Sequence, residues 1–111
     1  MLISGDVVDL DLGVPTGREA GFARPAVIVT AQAVLDRGPS VVHVVPLTST
    51  NRHFGSEVEI IGLASGVGHP SYAQCQHLRA VSAARLGSKR GNIGPVALRQ
   101  IREVIALLLD L

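Results

Sequence analysis

The chain has 111 residues, of which 47% are hydrophobic and 17% are charged, and its formal net charge is +1 at pH 7. This length predicts a single domain, and the composition excludes a disordered chain. The near-neutral charge excludes a strongly basic domain of the kind that coats nucleic acid or membrane surfaces. The lone cysteine, Cys75, excludes an internal disulfide and a metal site built from several cysteines.

Short strands separated by glycine and proline dominate the first two thirds of the chain. Alternating or continuous apolar residues predict strands at 8–12, 26–29, 41–47, 57–60 and 72–81. A long mobile loop is predicted at 13–21, a helical turn at 31–36 and a polar loop at 48–55. Ser82 is expected to cap a short helix that reaches residue 86. A basic, hairpin-like turn is predicted at 87–94.

The end of the chain is predicted to be an amphipathic helix. Pro95 suits a first helical position, and apolar residues then recur at helical spacing at Leu98, Ile101, Ile105 and Leu108. Leu107, Leu109 and Leu111 widen this apolar surface, so the helix is either buried on more than one side or meets a partner chain. Together the pattern predicts a mainly β fold, a small curved sheet or open barrel with a C-terminal helix packed against it.

Familiar catalytic motifs are absent from the sequence. No glycine-rich phosphate-binding loop, zinc-protease motif or nucleophile elbow occurs. The four histidines lack the spacing of metal ligands and are interpreted as structural or surface residues: His43, His53, His69 and His77. Cys75 is interpreted as a small core residue rather than a nucleophile. The sequence therefore predicts neither a metal site nor a cofactor.

Two turns beside predicted strands carry residues of the types that bind phosphate or take part in catalysis. Arg24 comes just before one apolar strand, and Thr48 comes just after another. If these strands are antiparallel neighbours, Arg24 lies beside Thr48 at the rim of the sheet, where a guanidinium and a hydroxyl can bind a phosphate. The alternative is a solvated arginine and an ordinary Thr-Ser-Thr turn. The pattern alone leaves both interpretations open.

The sequence resembles the MazF/PemK family of bacterial toxin endoribonucleases over nearly its full length. The matching segments occur in the family's order and spacing: Gly5-Asp6-Val7-Val8, Gly17-Arg18-Glu19, Arg24-Pro25-Ala26-Val27-Ile28-Val29, Val45-Pro46-Leu47-Thr48-Ser49-Thr50, Ser56-Glu57-Val58 and Cys75-Gln76-His77-Leu78-Arg79-Ala80-Val81. The resemblance implies one toxin domain over residues 1–111, with a small SH3-like β-barrel of the CcdB/PemK type and a packed C-terminal helix. It also implies a homodimer and a cognate antitoxin protein as partner.

The resemblance further implies an activity: metal-independent, sequence-specific cleavage of single-stranded RNA that leaves a cyclic phosphate and inhibits translation and growth. By position, Arg24 and Thr48 match the family's catalytic pair. Glu19 matches an acidic loop residue and is the candidate proton acceptor. Seven further residues are expected to contact RNA: Thr50, Asn51, Arg52, Gln74, Gln76, His77 and Arg79. The loop that contains Phe54 is expected to contribute a base contact or a stacking surface.

Two departures from the family pattern keep alternatives open. Several relatives carry an acidic residue where this chain has Gln76, and Arg18 stands where a relative has a histidine. The alternatives are a gyrase-binding toxin of the same fold without nuclease activity and a catalytically weakened member that only binds its antitoxin. The longest apolar run, at 104–109, is too short to span a bilayer, and no signal peptide is evident, so the expected location is the cytoplasm.

Overall fold

The computed structural model describes residues 1–111 except for the side chain of Leu63. Its strands are β1 (Asp6–Asp11), β2 (Ala23–Ile28), β3 (Val41–Thr48), β4 (Glu57–Ile60), β5 (Ser71–Gln74), β6 (Arg79–Ser82) and β7 (Lys89–Asn92). Its helices are α1 (Gln32–Leu35) and α2 (Gly94–Leu109), and 3₁₀ turns cover Leu63–Ser65, Cys75–His77 and Ala83–Arg85. The predicted mainly β fold with a C-terminal helix is confirmed, with seven strands rather than five or six.

The strands form an antiparallel, strongly curved sheet in the order β4-β5-β3-β2-β1-β7, and β6 pairs with the first half of β3. The second half of β3 pairs with β5 instead. Between β5 and β6 the chain turns at Cys75–His77 and so moves from one half of β3 to the other. The prediction of one continuous strand over 72–81 was therefore wrong. This break is the kind of corner that bends a sheet into a barrel.

Side chains of the central strands are buried on both faces of the sheet. Successive residues of a strand point to opposite faces. On one face Val7, Val27 and Val45 pack with the helix residues Leu98 and Ile101. On the other face a second cluster contains Val8, Ile28, Val44, Leu35 and Val81. Because Ile101 is fully buried in the first cluster, truncating it to alanine would cost about 2–5 kcal/mol.

Strand β7 lies inside the segment that was predicted to be a basic turn, so that prediction was wrong. Its sequence, KRGN, lacks the apolar alternation of an ordinary strand. Its pairing with β1 is fixed by the fully buried Asp6, whose Oδ1 accepts from Asn92 Nδ2 at 3.0 Å and lies 3.1 Å from Lys89 Nζ. A Cβ at Gly91 would collide with the carbonyl oxygen of Ala64, so only glycine allows this close approach.

Helix α2 begins where Asn92 Oδ1 accepts from the backbone N–H of Gly94 at 2.8 Å, with Pro95 in the first turn. Its Leu98 and Ile101 are buried as predicted, but Leu107 and Leu111 are 82% and 88% exposed. The helix is thus buried on one side only, and Leu108, which was predicted to share the apolar stripe with Leu98 and Ile101, is 48% exposed. In the described part of the chain, none of the helices has the length and apolar character needed to cross a bilayer.

Candidate active site

Arg24 and Thr48 lie at adjacent ends of two neighbouring strands and line one cavity. β2 and β3 are antiparallel, and their pairing runs from Ile28 opposite Val44 to Ala26 opposite Pro46. Arg24 and Thr48 each lie two residues beyond the last of these pairs, at the same edge of the sheet. Both side chains are half-buried, and both line a cavity of about 300 Å³, here called the Thr48 cavity. The structure therefore brings the two predicted catalytic residues to one place.

The guanidinium of Arg24 is held by two acceptors. Its Nε donates to the backbone oxygen of Gly21 at 3.0 Å, and its Nη1 donates to Gln74 Oε1 at 3.2 Å. Burial, and then the nearby charge of Arg52, lower the pKa of Arg24. An arginine starts from a pKa above about 12, so the group keeps its proton near neutral pH. Arg24 is consequently an oriented cation that can bind a phosphate but cannot serve as a base.

A second cavity of about 440 Å³ shares Arg24 with the first and is here called the Glu19 cavity. It is lined by charged, amide and aromatic side chains, among them Arg18, Glu19, Arg52, Phe54, Gln76 and His77. Arg24 thus borders two cavities: one carries the Thr48 hydroxyl, and the other carries a carboxylate, an imidazole and an aromatic ring.

The residues predicted to contact RNA divide into two groups. Arg52, Gln74, Gln76 and His77 line the Glu19 cavity, and Arg79 lines a neighbouring cavity of about 270 Å³ with Glu19, Gln76 and His77. Thr50 and Asn51 line none of these three cavities. They make local turn contacts instead: Thr50 N–H donates to Thr48 Oγ1 at 3.2 Å, and His53 N–H donates to Asn51 Oδ1 at 2.8 Å. The structure therefore gathers five of the seven around the cavities.

His77 lies in the 3₁₀ turn Cys75–His77 rather than in a strand, which corrects the sequence interpretation. Its pKa is lowered, first by burial and then by the positive charges of Arg24 and Arg52. The carboxylates of Glu19 and Glu57 oppose this effect. Because an unperturbed histidine titrates near about 6.5, His77 is mostly neutral at pH 7. A neutral imidazole can accept a proton or a hydrogen bond from a nucleotide base.

Glu19 and Gln76 are both exposed side chains that line the Glu19 cavity, and each accepts one hydrogen bond. Glu19 is exposed, and its Oε1 accepts from Thr16 N–H at 2.8 Å within the loop. Gln76, which stands where several relatives have an acidic residue, accepts through Oε1 from Ser56 Oγ at 2.9 Å. No group of three or more histidine, cysteine or acidic residues is arranged to hold a metal ion among the residues that the structure describes.

Cys75 is buried, as the sequence interpretation expected. It is 2% exposed, and its Sγ points to the backbone oxygens of Ala73 and Ile101 at 3.8 and 3.9 Å. Burial raises the pKa of this thiol to about 11. Since the thiolate is the nucleophilic form, Cys75 has no means of attacking a substrate at neutral pH.

Three residues at this site could not be identified from the sequence: His69, Ser71 and Glu57. His69, which was interpreted as structural, lines the Thr48 cavity together with Ser71. Arg90, expected from the sequence as a candidate phosphate contact within a turn, lines the same cavity. Glu57 was predicted on the exposed face of its strand, yet only 2% of its side chain is exposed. The alternation around Val58 gave the strand correctly, but no signal in the sequence shows that the partner strand and the following turn cover the Glu57 side chain.

Comparisons with known proteins cover nearly the whole chain and agree with its fold. A family model described as "PemK-like, MazF-like toxin of type II toxin-antitoxin system" matches residues 3–109. Endoribonuclease MazF9 of Mycobacterium tuberculosis is 32% identical over 116 residues, which cover 100% of this chain and 98% of that protein. MazF from Deinococcus radiodurans superimposes with a TM-score of 0.82 at 21% identity, covering 97% of this chain and 96% of that one. An endoribonuclease from a mycobacterial species, solved in complex with its cognate antitoxin, gives 0.79 at 24% identity, covering 100% and 97%. The resemblance seen in the sequence is thus confirmed, and the chain belongs to the PemK-like, MazF-like toxin family of type II toxin-antitoxin systems.

Proposed function

We propose that this chain is an endoribonuclease toxin that cleaves single-stranded RNA by attack of a ribose 2′-hydroxyl on the adjacent phosphate. The observation that carries the proposal is that Arg24 of β2 and Thr48 of β3 line the same cavity, just beyond the last paired residues of the two strands. The family membership and the 32% identity to a protein named endoribonuclease support it. RNA supplies its own nucleophile, so the protein needs only to align the hydroxyl, move protons and stabilise negative charge.

In this reaction the 2′ oxygen forms a bond to phosphorus while the bond from phosphorus to the 5′ oxygen of the next nucleotide breaks. The products are a 2′,3′-cyclic phosphate and a free 5′-hydroxyl. The 2′-hydroxyl proton passes to the carboxylate of Glu19, and the departing oxygen takes a proton from water. Arg24 binds the phosphate and its growing negative charge. Thr48 donates a hydrogen bond to a phosphate oxygen or orients the attacking hydroxyl.

Substrate recognition follows from the two cavities that meet at Arg24. With the scissile phosphate on Arg24, one flanking nucleotide occupies the Thr48 cavity and the other occupies the Glu19 cavity. Phe54, 52% exposed at the rim of the Glu19 cavity, supplies a stacking surface for a base. Gln74, Gln76 and His77 supply hydrogen bonds that read unpaired bases, and Arg52 and Arg79 contact phosphates. Thr50 and Asn51 shape the adjoining loop.

The proposed partners are a cognate antitoxin and a second copy of this chain. An antitoxin accompanies one mycobacterial endoribonuclease of the same fold, and the MazE–MazF complex of Deinococcus radiodurans superimposes with a TM-score of 0.76 at 22% identity, covering 97% of this chain and 95% of that one. The apolar residues left exposed at the end of α2, Leu107, Leu108, Leu109 and Leu111, support an interface between copies. A toxin that acts on cellular RNA works in the cytoplasm, and that is the location we propose.

The function is tested by incubating the purified protein with single-stranded RNA in EDTA and mapping both new ends. We expect cuts at a short recurrent sequence, with a cyclic phosphate on one product and a 5′-hydroxyl on the other. A 5′-phosphate product would contradict attack by the 2′-hydroxyl. Intact RNA together with a stable complex with gyrase would establish the gyrase-binding alternative. Intact RNA with tight antitoxin binding alone would establish a catalytically weakened member.

A further inference from the structure

Glu57 carries a carboxylate that is almost completely buried beside the Glu19 cavity. It opens β4 and pairs across the sheet with Gln74 of β5. Its Oε1 accepts from the backbone N–H of Arg52 at 3.3 Å, and its Oε2 lies 3.8 Å from Arg52 Nη1. That distance is too long for a hydrogen bond, and Oε2 has no hydrogen-bond partner within the described structure.

A buried carboxylate with one unpaired oxygen is an unfavourable choice for stability alone. Removing a charge from water carries a large desolvation free energy, and a single partly exposed counter-ion offsets only part of it. A neutral glutamine of nearly the same shape would accept the same bond from the Arg52 N–H. The negative charge of Glu57 therefore contributes something other than stability.

The charge of Glu57 faces the residues that form the wall of the Glu19 cavity. Arg52, 41% exposed at its side chain, is the closest cation. Arg52 belongs to the segment between β3 and β4, where Thr50 N–H donates to Thr48 and His53 N–H donates to Asn51. Among the described residues, only the end of the segment, at Ser56, is hydrogen-bonded to the turn after β5. The contacts with Glu57 tie the middle of this segment to the start of β4.

We propose that Glu57 is a positioning residue: its buried carboxylate fixes Arg52 at the wall of the Glu19 cavity, so that the guanidinium is presented to a phosphate of the bound RNA. This inference rests on the proposed function. Glu57 acts through Arg52 and does not itself touch the substrate, because its side chain is buried and the lining of the Glu19 cavity does not include it. Arg52 has five N–H donors, so it can face Glu57 on one side and a phosphate on the other.

The test compares Glu57→Gln with Glu59→Gln, an exposed residue of the same strand as the matched control. We expect Glu57→Gln to raise the KM for RNA about two- to fivefold, with little change in kcat, because the ion pair that orients Arg52 is lost. In an Arg52→Ala background the same substitution should add nothing further. The unfolding midpoint of Glu57→Gln should equal or exceed that of the wild type, since an amide is easier to bury. Glu59→Gln should match the wild type in all three measurements.

A second measurement does not depend on RNA. Four charged groups face His77: Arg24 of β2, Arg52 and Glu19 of two loops, and Glu57 of β4. Because the Glu57 charge raises the pKa of His77, Glu57→Gln should lower that pKa in an NMR titration, and Glu59→Gln should not. A wild-type chain that leaves RNA intact contradicts the proposed function. An active chain in which Glu57→Gln keeps its KM, or adds its full effect to Arg52→Ala, or lowers the unfolding midpoint overturns the positioning role instead.

Discussion

Gln74 holds Arg24 through a 3.2 Å hydrogen bond from Arg24 Nη1 to Gln74 Oε1, although the two residues are 50 positions apart in sequence. Gln74 closes β5 and is 3% exposed. An amide oxygen orients the guanidinium without neutralising its charge. A carboxylate at this position would form an ion pair that competes with a phosphate for the same N–H groups.

Replacing Gln74 with leucine tests this relationship. Leucine keeps most of the side-chain volume and removes the acceptor oxygen. The guanidinium of Arg24 therefore loses one of the two hydrogen bonds that orient it. We expect the cleavage rate to fall about 10- to 150-fold, because a lost hydrogen bond to a charged group is worth roughly 1.5–3 kcal/mol. Single-turnover cleavage of a fixed RNA measures the rate, and Gln100→Leu on the exposed surface of α2 is the control. A wild-type rate in Gln74→Leu would show that Arg24 is oriented without Gln74.

Phe54 is the aromatic residue that lines the Glu19 cavity. If a base stacks on its ring, Phe54→Ala should weaken RNA binding by about 1–3 kcal/mol. Phe54→Leu, which keeps an apolar side chain without the aromatic face, should recover only part of that loss. The apparent affinity is measured from the RNA concentration dependence of cleavage. Equal affinities for the leucine variant and the wild type would assign Phe54 an apolar contact rather than stacking.

His77 should make stability depend on pH. Its lowered pKa means that, between the folded-state pKa and about 6.5, the unfolded chain binds more protons than the folded chain. The free energy of unfolding should therefore rise with pH through this window and lose this dependence above it. Urea unfolding at a series of pH values measures the slope, and His77→Gln should be flatter than the wild type. Parallel curves for the two proteins would show that His77 titrates alike in both states.

Local patterns in the sequence predicted the elements that meet at the site. Apolar runs at 26–29 and 41–47 predicted two strands, and the structure shows that these strands, β2 and β3, are antiparallel neighbours, so that Arg24 and Thr48 line one cavity. The leucines and isoleucines of α2 recur at helical spacing, and this pattern predicted the helix. These predictions succeeded because each depends on a side-chain period within a single segment.

The failures all depend on contacts between distant segments. β7 has no apolar period of its own and is fixed by the buried Asp6 at the other end of the chain. The break at Cys75–His77 arises because β3 has two different partners along its length. Glu57 is buried by residues from other segments of the chain, and the alternating pattern of its own strand gives no information about them. Tertiary packing decided these three features, so the local pattern could not predict them.

The most direct measurement is a double-mutant cycle on Arg24 and Thr48, with cleavage of one defined RNA as the readout. Arg24→Ala and Thr48→Ala should each lower kcat about 100- to 1,000-fold, because each removes a donor to the same developing negative charge. The kcat of the double variant should be only slightly below that of the less active single variant, since the two groups act as a unit. Thr48→Ser, which keeps the hydroxyl, should retain most of the activity, and Arg37→Ala, an exposed arginine that lines neither cavity, should match the wild type. Near-normal turnover in both single variants, or losses that simply multiply in the double variant, would contradict joint action on one phosphate.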